Sequence, residues 1–301
     1  MGRLSSRFLS KTHQTSLDCR VSRNVRDCCT HPKFSGPEFQ SMPFALHPLY
    51  VLSGFAVGFL VGMTGVGGGA LMTPLLILLF HVHPTTAVGT DLLYASITKS
   101  CGTVVHGFAR NVDWRIVGRL ALGSIPAALL TLAVLYLLKV NQETLNGVIT
   151  RVLGFSLLAT ALALVFRKYL LASYTRRVGA LPDRKTFHFT VATGAALGML
   201  VTISSVGAGA LGVTALILLY PKLPVVKIAA SDIAHAVPLT LVAGLGHLAS
   251  GGIDVTMLES LLVGSLPGVV IAALFAPRLP DLALRLLLAA TLTVSGLRLL
   301  A

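Results

Sequence analysis

Lys99, Asp91 and Asp232 are ionisable residues inside long apolar stretches of this 301-residue chain, where a charge is costly to bury. Lys99 lies fourteen residues after Thr85, about 21 Å along a helix and therefore deep within its apolar run. Asp91 and Asp232 lie near the starts of two such runs. A buried ammonium group attracts anions, and a buried carboxylate can take up and release a proton. These residue types predict an anion site at Lys99, with proton coupling or gating through the two aspartates.

The same residues also have structural interpretations. The sequences GTD and ASD around Asp91 and Asp232 are typical of helix starts, where such side chains accept hydrogen bonds from first-turn N–H groups. His106 and His247 follow the two aspartates at the same interval of fifteen residues, near predicted helix ends. The helix dipole favours histidine there whatever its role, and protonation or gating is the functional alternative. For Lys99, the alternative is a structural ion pair or a side chain extended towards water.

Two glycine-rich segments interrupt apolar sequence in the same way. Residues 65–80 read GVGGGALMTPLLILLF and residues 205–220 read SVGAGALGVTALILLY, with nine of sixteen positions identical. Each glycine lowers helix propensity by about 1 kcal/mol, so both segments should break there. A break offers free backbone N–H groups and the positive end of a helix dipole, which suit an anion. Besides Lys99, the predicted substrate-binding positions are Gly67, Gly68, Gly69, Gly207, Ala208 and Gly209.

The composition requires that membrane helices carry these residues. Apolar residues make up 54% of the chain and charged residues 12%, and runs of about 20 apolar residues, the length that spans a bilayer, recur along it. Two of the eight predicted segments, the first and the fifth, are too long for one straight crossing and should be discontinuous. The fold class is therefore an all-α polytopic membrane protein. The segments lie near residues 46–80, 85–107, 115–138, 145–166, 187–219, 225–249, 256–276 and 280–300.

A second repeat indicates that the chain is duplicated. Residues 90–126 align without a gap with residues 231–267, and the alignment matches both aspartates and both histidines named above. Lys99 has Thr240 as its counterpart, so one buried cation serves both halves. Two repeated four-segment halves with interrupted helices are typical of secondary transporters, whose substrate site lies between the repeats near the membrane midplane. Parallel and inverted arrangements of the halves both remain open.

Basic residues set the predicted orientation. The gaps between the second and third segments and between the fourth and fifth are rich in arginine and lysine, which predicts that both are cytoplasmic. Eight crossings then make both termini cytoplasmic, although Lys222, Lys227 and Arg278 fall on the opposite side. If each broken segment crosses twice as a hairpin, the halves are inverted instead. Topology explains the net charge of +13, so nucleic acid is not an expected partner.

Four regions are predicted along the chain. Residues 1–41 form a disordered basic tail, with Met42 as an alternative start of translation. Residues 42–168 form the first membrane repeat, 169–186 a basic cytoplasmic linker and 187–301 the second membrane repeat. The four cysteines show no paired framework and no closed metal-ligand spacing, so we expect no cofactor or metal. Nucleophile and metalloprotease motifs are missing too, and an enzyme is not expected.

Several motifs resemble the sulfite exporter TauE/SafE family of membrane transporters over roughly residues 46–301. They are GVGGGALMTP, AVGTDLL and VHGFARNVDW, with the second-half echoes SVGAGAL and GHLASGGID. The resemblance implies two related four-segment halves that move small sulfur-containing or organic anions, such as sulfite, sulfoacetate or thiosulfate, across the bacterial inner membrane. The second half has Ala208 where the first has a glycine, so the halves need not contribute equally.

Two other functions remain open from the sequence. One is a cation or metal carrier that uses Asp91 and Asp232, and the other is a membrane scaffold without transport. Lys99 and the starts of the half-helices favour an anion. The expected partners are a small anionic substrate and the lipid bilayer, and the sequence allows a homo-oligomer without requiring one.

Overall fold

A computed structural model describes residues 47–64, 69–108, 110–137, 141–177, 182–275 and 281–301 of the chain. In these residues every regular element is an α-helix, and five of the ten helices are long and apolar enough to cross a membrane, namely α4, α5, α6, α8 and α9. An all-helical chain with several apolar spans is thereby confirmed, whereas the eight-span count stays a prediction. The helices are α1 (Pro48–Thr64), α2 (Gly69–Leu78), α3 (Pro84–Phe108), α4 (Trp114–Leu137), α5 (Gln142–Arg177), α6 (Asp183–Ser204), α7 (Ala210–Leu219), α8 (Val225–Ala249), α9 (Val255–Phe275) and α10 (Asp281–Leu300).

Both overlong segments are divided into two helices at their glycine clusters. The first becomes α1 and α2, and the fifth becomes α6 and α7. Residues 65–68, between α1 and α2, lie outside the described residues. In the second break Ser205 ends α6 with φ 57°, and Gly207 and Gly209 have φ 127° and 130°. Only glycine readily adopts φ values near 127° and 130°, which explains why the break needs Gly207 and Gly209.

Each broken segment folds back on itself as a hairpin. The Tyr50 ring, early in α1, lies against the Phe80 ring just after α2, with ring centroids 4.7 Å apart. At the matching place in the second half, Thr190 Oγ1 of α6 and Tyr220 OH, just after α7, are hydrogen-bonded at 2.9 Å. The chain therefore leaves each hairpin at the end of the bundle where it entered.

Glycines set against facing backbone fix the directions of the neighbouring helices. At each of four positions a Cβ on the glycine would collide with the facing main-chain carbonyl, so the helices touch backbone to backbone, as small residues allow in membrane proteins. The order of the contacts shows that α1 runs parallel to α9, and α6 parallel to α4. The facing pairs are Gly54 with Leu261, Gly58 with Ser265, Gly194 with Leu120 and Gly198 with Ser124.

Equivalent helices of the two halves run antiparallel. In the contact between α3 and α8, Leu93 lies against Gly244 and Ile233 lies against Gly102, so the start of one helix faces the end of the other. The halves are therefore inverted, which answers the question that the sequence left open. They also interlock, because α1 packs on α9 and α4 packs on α6.

Matched hydrogen bonds repeat the same symmetry. The backbone N–H of Asp113, ahead of α4, donates to Ser231 Oγ of α8 at 2.9 Å. The backbone N–H of Asp254, ahead of α9, donates to Thr90 Oγ1 of α3 at 3.3 Å. The two bonds join equivalent positions of the duplicated sequence, so the internal repeat is a repeat of tertiary contacts as well.

The helix directions gather basic residues at one end of the bundle. There Arg119 of α4 donates from Nη1 to Tyr220 OH at 3.2 Å and lies over the Phe187 ring, 5.8 Å from its centroid. Lys222 and Lys227 follow directly, between α7 and α8 and in the first turn of α8. Both lysines therefore lie at the same end of the bundle as Arg119, because Tyr220, just after α7, is hydrogen-bonded to Thr190 near the start of α6.

The start of the described chain lies at the opposite end from these basic residues. Helix α1 runs parallel to α9, and α9 starts where α8 ends, away from Arg119. The cytoplasmic position of both termini remains a prediction. Helix α5 runs to Arg177 and α6 begins at Asp183, so most of the predicted linker 169–186 is helical. The division into two membrane repeats and a tail over residues 1–41 remains a prediction.

Backbone contact between α4 and α6 predicts a strong dependence on Gly194. We expect Gly194→Ala to push the Leu120 carbonyl away and to lower stability by about 2 kcal/mol, seen as a lower melting temperature of the detergent-solubilised protein. Gly118→Ala is the matched control, because Gly118 is exposed in α4 and an added Cβ would meet nothing within 4 Å. Equal melting temperatures for the two variants would contradict the packing.

Candidate functional site

Lys99 lies at the second helix break. Its side chain, on α3, is only 7% exposed, and Nζ donates to the main-chain oxygen of Ala208 at 3.5 Å. Ala208 belongs to the connection between α6 and α7, so an ammonium group from the first half reaches backbone of the second half. One carbonyl occupies one of three N–H donors, and two donors remain for other groups. The structure thus brings two of the predicted binding positions together.

Asp232 of α8 stands at the start of α7. Its side chain is fully buried beside the Gly209 amide, and a Cβ on Gly212 would collide with the carboxylate. The positive charge of Lys99 attracts the carboxylate, although the two side chains form no direct ion pair in the described residues. Neither carboxylate oxygen completes a hydrogen bond with the described residues. A buried carboxylate in this state is unfavourable, and a proton or a bound partner would relieve it.

The start of α7 is the kind of position that binds anions. The helical ladder begins with Gly212 N–H donating to Gly207 O at 3.1 Å and Val213 N–H donating to Gly209 O at 2.8 Å. The N–H groups ahead of Gly212 therefore lie at the open, positive end of the helix dipole. The Asp232 carboxyl group lies at that end in this structure.

Asp91, the counterpart of Asp232, has better partners. It is fully buried on α3, Thr73 Oγ1 of α2 donates to its Oδ2, and the Ser205 hydroxyl lies beside it. The second half has Val213 at the position of Thr73, so Asp232 lacks the equivalent donor. The duplicated carboxylates are chemically unequal, which the equal spacing in the sequence did not indicate.

Sequence reasoning missed His235, which lies three residues after Asp232 on the same face of α8. Its ring is fully buried, with Nε2 2.7 Å from Ser124 Oγ of α4, and Nδ1 has no partner in the described residues. Its counterpart is Tyr94, whose hydroxyl faces Ser265, the counterpart of Ser124. The repeat alignment contained this signal, because it matches Tyr94 with His235 and the two serines with each other.

The two predicted histidines have other surroundings. His247 is buried on α8, with Nε2 3.0 Å from the Thr202 carbonyl oxygen, and this hydrogen bond joins α8 to α6. His106 belongs to the last turn of α3, and its side chain lies outside the described residues. A gating role for either histidine stays a prediction.

The six predicted positions at the two breaks are described unequally. Gly207, Ala208 and Gly209 form the second break beside Lys99, whereas Gly69 opens α2. Gly67 and Gly68 lie outside the described residues. A contribution of the first break to binding therefore remains a prediction from the sequence.

Four buried side chains lie on the packed helices α3 and α8, and we call Asp91, Lys99, Asp232 and His235 the central cluster. Asp91 and Lys99 belong to α3, and Asp232 and His235 belong to α8. The ammonium group, the imidazole and the start of α7 can bind an anion, and the carboxylates can bind protons or a cation. No group of three or more metal-ligating side chains occurs in the described part of the chain.

Comparison with known proteins gives a consistent result. A family model described as sulfite exporter TauE/SafE matches residues 50–299. The "Probable membrane transporter protein YjnA" of Bacillus subtilis (strain 168) is 37% identical over 251 residues, which cover 83% of this chain and 98% of that protein. The "Probable membrane transporter protein YdhB" of the same strain is 26% identical over 266 residues, 84% of this chain and 99% of that protein. No solved structure is significantly similar to this chain.

Proposed function

Because the chain belongs to the sulfite exporter TauE/SafE family of membrane transporters, we propose that it is a secondary transporter for small sulfur-containing or organic anions. Sulfite, sulfoacetate and thiosulfate are the substrate class. The observation that carries the proposal is Lys99, a buried ammonium group that reaches Ala208 at the start of a half-helix. Charge and helix dipole both favour a negative ligand there.

Proton coupling follows from the charges of the central cluster. Lys99 alone cannot neutralise two ionised carboxylates and an incoming anion. An anion beside Lys99 makes ionised Asp232 less favourable, so anion and proton should bind together. Asp232 is the better coupling residue, because neither of its oxygens has a hydrogen-bond donor among the described residues, whereas Thr73 donates to Asp91.

Alternating access fits the inverted halves. The central cluster draws Lys99 and Asp91 from one half and Asp232 and His235 from the other, at the contact between α3 and α8. In transporters with inverted repeats, movement of one repeat against the other opens such a site to each side in turn. We propose the same movement here, with the two hairpins as the elements that close the site.

A cation carrier is the second candidate, and one observation favours it. Both oxygens of Asp232 are free of hydrogen bonds within the described residues, and oxygen atoms are the ligands of hard cations. Lys99 opposes a cation, because its ammonium group already acts on the Asp232 carboxylate. We therefore prefer the anion.

Flux into proteoliposomes tests the proposed function. Purified full-length protein should carry labelled sulfite, thiosulfate or sulfoacetate, and a pH gradient should change the rate. Empty liposomes give the background rate, and labelled sodium and divalent cations test the second candidate. Cation flux without anion flux would replace the proposal with the cation carrier, and no flux of any solute would favour the scaffold.

We further propose that the protein is a multi-pass protein of the bacterial inner membrane with its basic end in the cytoplasm. Arginine and lysine are enriched in cytoplasmic loops, and Arg119, Lys222 and Lys227 share one end of the bundle. Six helices then cross fully, and the two hairpins return to their own sides. Among the other described basic residues, Arg151 and Arg298 are exposed on helix surfaces, from which long side chains reach the interface.

Cysteine labelling checks this orientation. In a variant without the four native cysteines, Gln142→Cys should react with an impermeant maleimide in intact spheroplasts, and Lys222→Cys only after permeabilisation. Both positions are exposed, and the start of α5 lies beside the start of α3, where Thr85 N–H donates to Asn146 Oδ1 at 3.3 Å. Labelling of both cysteines from the same side would contradict the hairpins, and reversed labelling would contradict the orientation.

A further inference from the structure

We propose that His235 is a substrate-binding residue, and that with Lys99 it selects oxyanions that can offer one oxygen to each. This inference rests on the proposed function and adds to it a residue and a substrate chemistry. A sulfite ion or a sulfonate group has several oxygens and suits two separate donors, whereas a halide ion does not.

Position and burial support the assignment. His235 and Asp232 are three residues apart on α8 and therefore share one helix face. Lys99 lies on α3, which packs against α8. The imidazole is fully buried, and Asp232 on the same helix face contacts Gly212 in the first turn of α7.

The His235 imidazole has one nitrogen without a hydrogen-bond partner in the described residues. Nε2 is engaged by Ser124 Oγ at 2.7 Å, whereas the buried Nδ1 has no partner in the described residues. When the Ser124 hydroxyl donates to Nε2, the ring proton sits on Nδ1 and is left without an acceptor. An unsatisfied buried donor costs about 1 to 3 kcal/mol, and a substrate oxygen would remove that cost.

The equivalent pair in the first half lacks this free group. Tyr94 is as deeply buried as His235, and its single hydroxyl faces Ser265. Each half therefore has a contact with serine at this position, Tyr94 with Ser265 and His235 with Ser124. Of the two side chains, only the histidine has a second polar atom. We infer that the anion makes its side-chain contacts with Lys99 and His235 and not with Tyr94.

The difference between the halves supplies the test variant. His235→Tyr installs the residue that the first half uses at this position, so contact with Ser124 can be kept while Nδ1 is lost. Tyr94→Phe is the matched control, because it changes the equivalent pair without touching the inferred donor. Both variants are made in the full-length chain, purified in detergent and reconstituted.

Sulfite titration gives the readout, measured both as the rise in melting temperature and as the half-saturating concentration for uptake. For His235→Tyr we expect the half-saturating sulfite concentration to rise about tenfold with little change in maximal rate, as expected for one lost hydrogen bond to an anion. Tyr94→Phe should shift it less than about twofold. Chloride should give no rise in melting temperature with any of the proteins.

The outcomes distinguish the role of His235 from the proposed transport function. If wild-type protein binds and carries sulfite and His235→Tyr matches it, the role of His235 is overturned while the proposed function stands. If wild-type protein neither binds nor carries any of the anions, both fail. If His235→Tyr does not fold, Ser124→Ala is the alternative variant. It removes the partner of His235 Nε2, so the ring is no longer held in place and the half-saturating sulfite concentration should rise about threefold. An unchanged concentration would overturn the inference.

Discussion

Lys99→Met should abolish anion transport and leave a folded protein. Methionine has a similar length and shape, so it fills the buried space, and the two aspartates can take up protons once the ammonium group is gone. The substrate loses its charge-assisted hydrogen bond, about 2 to 3 kcal/mol, and faces two carboxylates without compensation. We expect the initial rate of sulfite or thiosulfate uptake to fall at least about 100-fold in proteoliposomes.

A second lysine provides the control for charge alone. Lys227 is exposed in the first turn of α8, at the basic end of the bundle. Lys227→Met removes one positive charge from the protein but none from the central cluster, so uptake should stay within about twofold of the wild-type rate. Wild-type uptake by Lys99→Met would refute the assignment of the anion site to Lys99.

Asp232→Asn should uncouple transport from the pH gradient. Asparagine keeps the volume of aspartate but cannot release a proton, so an imposed gradient should no longer change the uptake rate. The same variant should be more stable than the wild type, because it removes a buried carboxylate whose oxygens have no hydrogen bonds among the described residues. We expect a gain of about 1 to 2 kcal/mol, read as a higher melting temperature.

Asp91→Asn is the matched comparison for this prediction. Thr73 donates to one oxygen of Asp91, and the amide oxygen of asparagine can accept the same hydrogen bond. Asp91→Asn should therefore keep a rate that responds to the pH gradient, with a smaller change in melting temperature. If Asp91→Asn abolishes the response and Asp232→Asn does not, the coupling role belongs to the other carboxylate.

The unequal aspartates indicate how a duplicated fold can carry an asymmetric site. Matched backbone contacts, such as those of Asp113 with Ser231 and Asp254 with Thr90, keep the two halves similar in shape. A few side chains then differ, with Lys99 opposite Thr240 in the alignment. One ammonium group and one imidazole Nδ1 without a partner in the described residues would suit one small anion, as proposed above.

The sequence by itself determined the helical membrane class and the two breaks, and it singled out Lys99 as a candidate. Each of these is a local property. Apolar runs of sufficient length predict helices in lipid, a glycine cluster lowers helix propensity wherever it occurs, and a charge inside an apolar run is unusual whatever surrounds it. Duplication was equally visible, because Asp91 and Asp232 recur at equal offsets.

Only the tertiary structure decided the directions of the helices and the partners of the buried groups. A broken segment can continue across the membrane or fold back, and the choice depends on packing such as that of Gly54 against Leu261, far away in the chain. Lys99 and Ala208 are in contact although 109 residues separate them in the chain, and for Ser124 and His235 the separation is 111 residues. No local pattern encodes contacts at such separations, and so the contact of His235 with Ser124 is visible only in the tertiary structure.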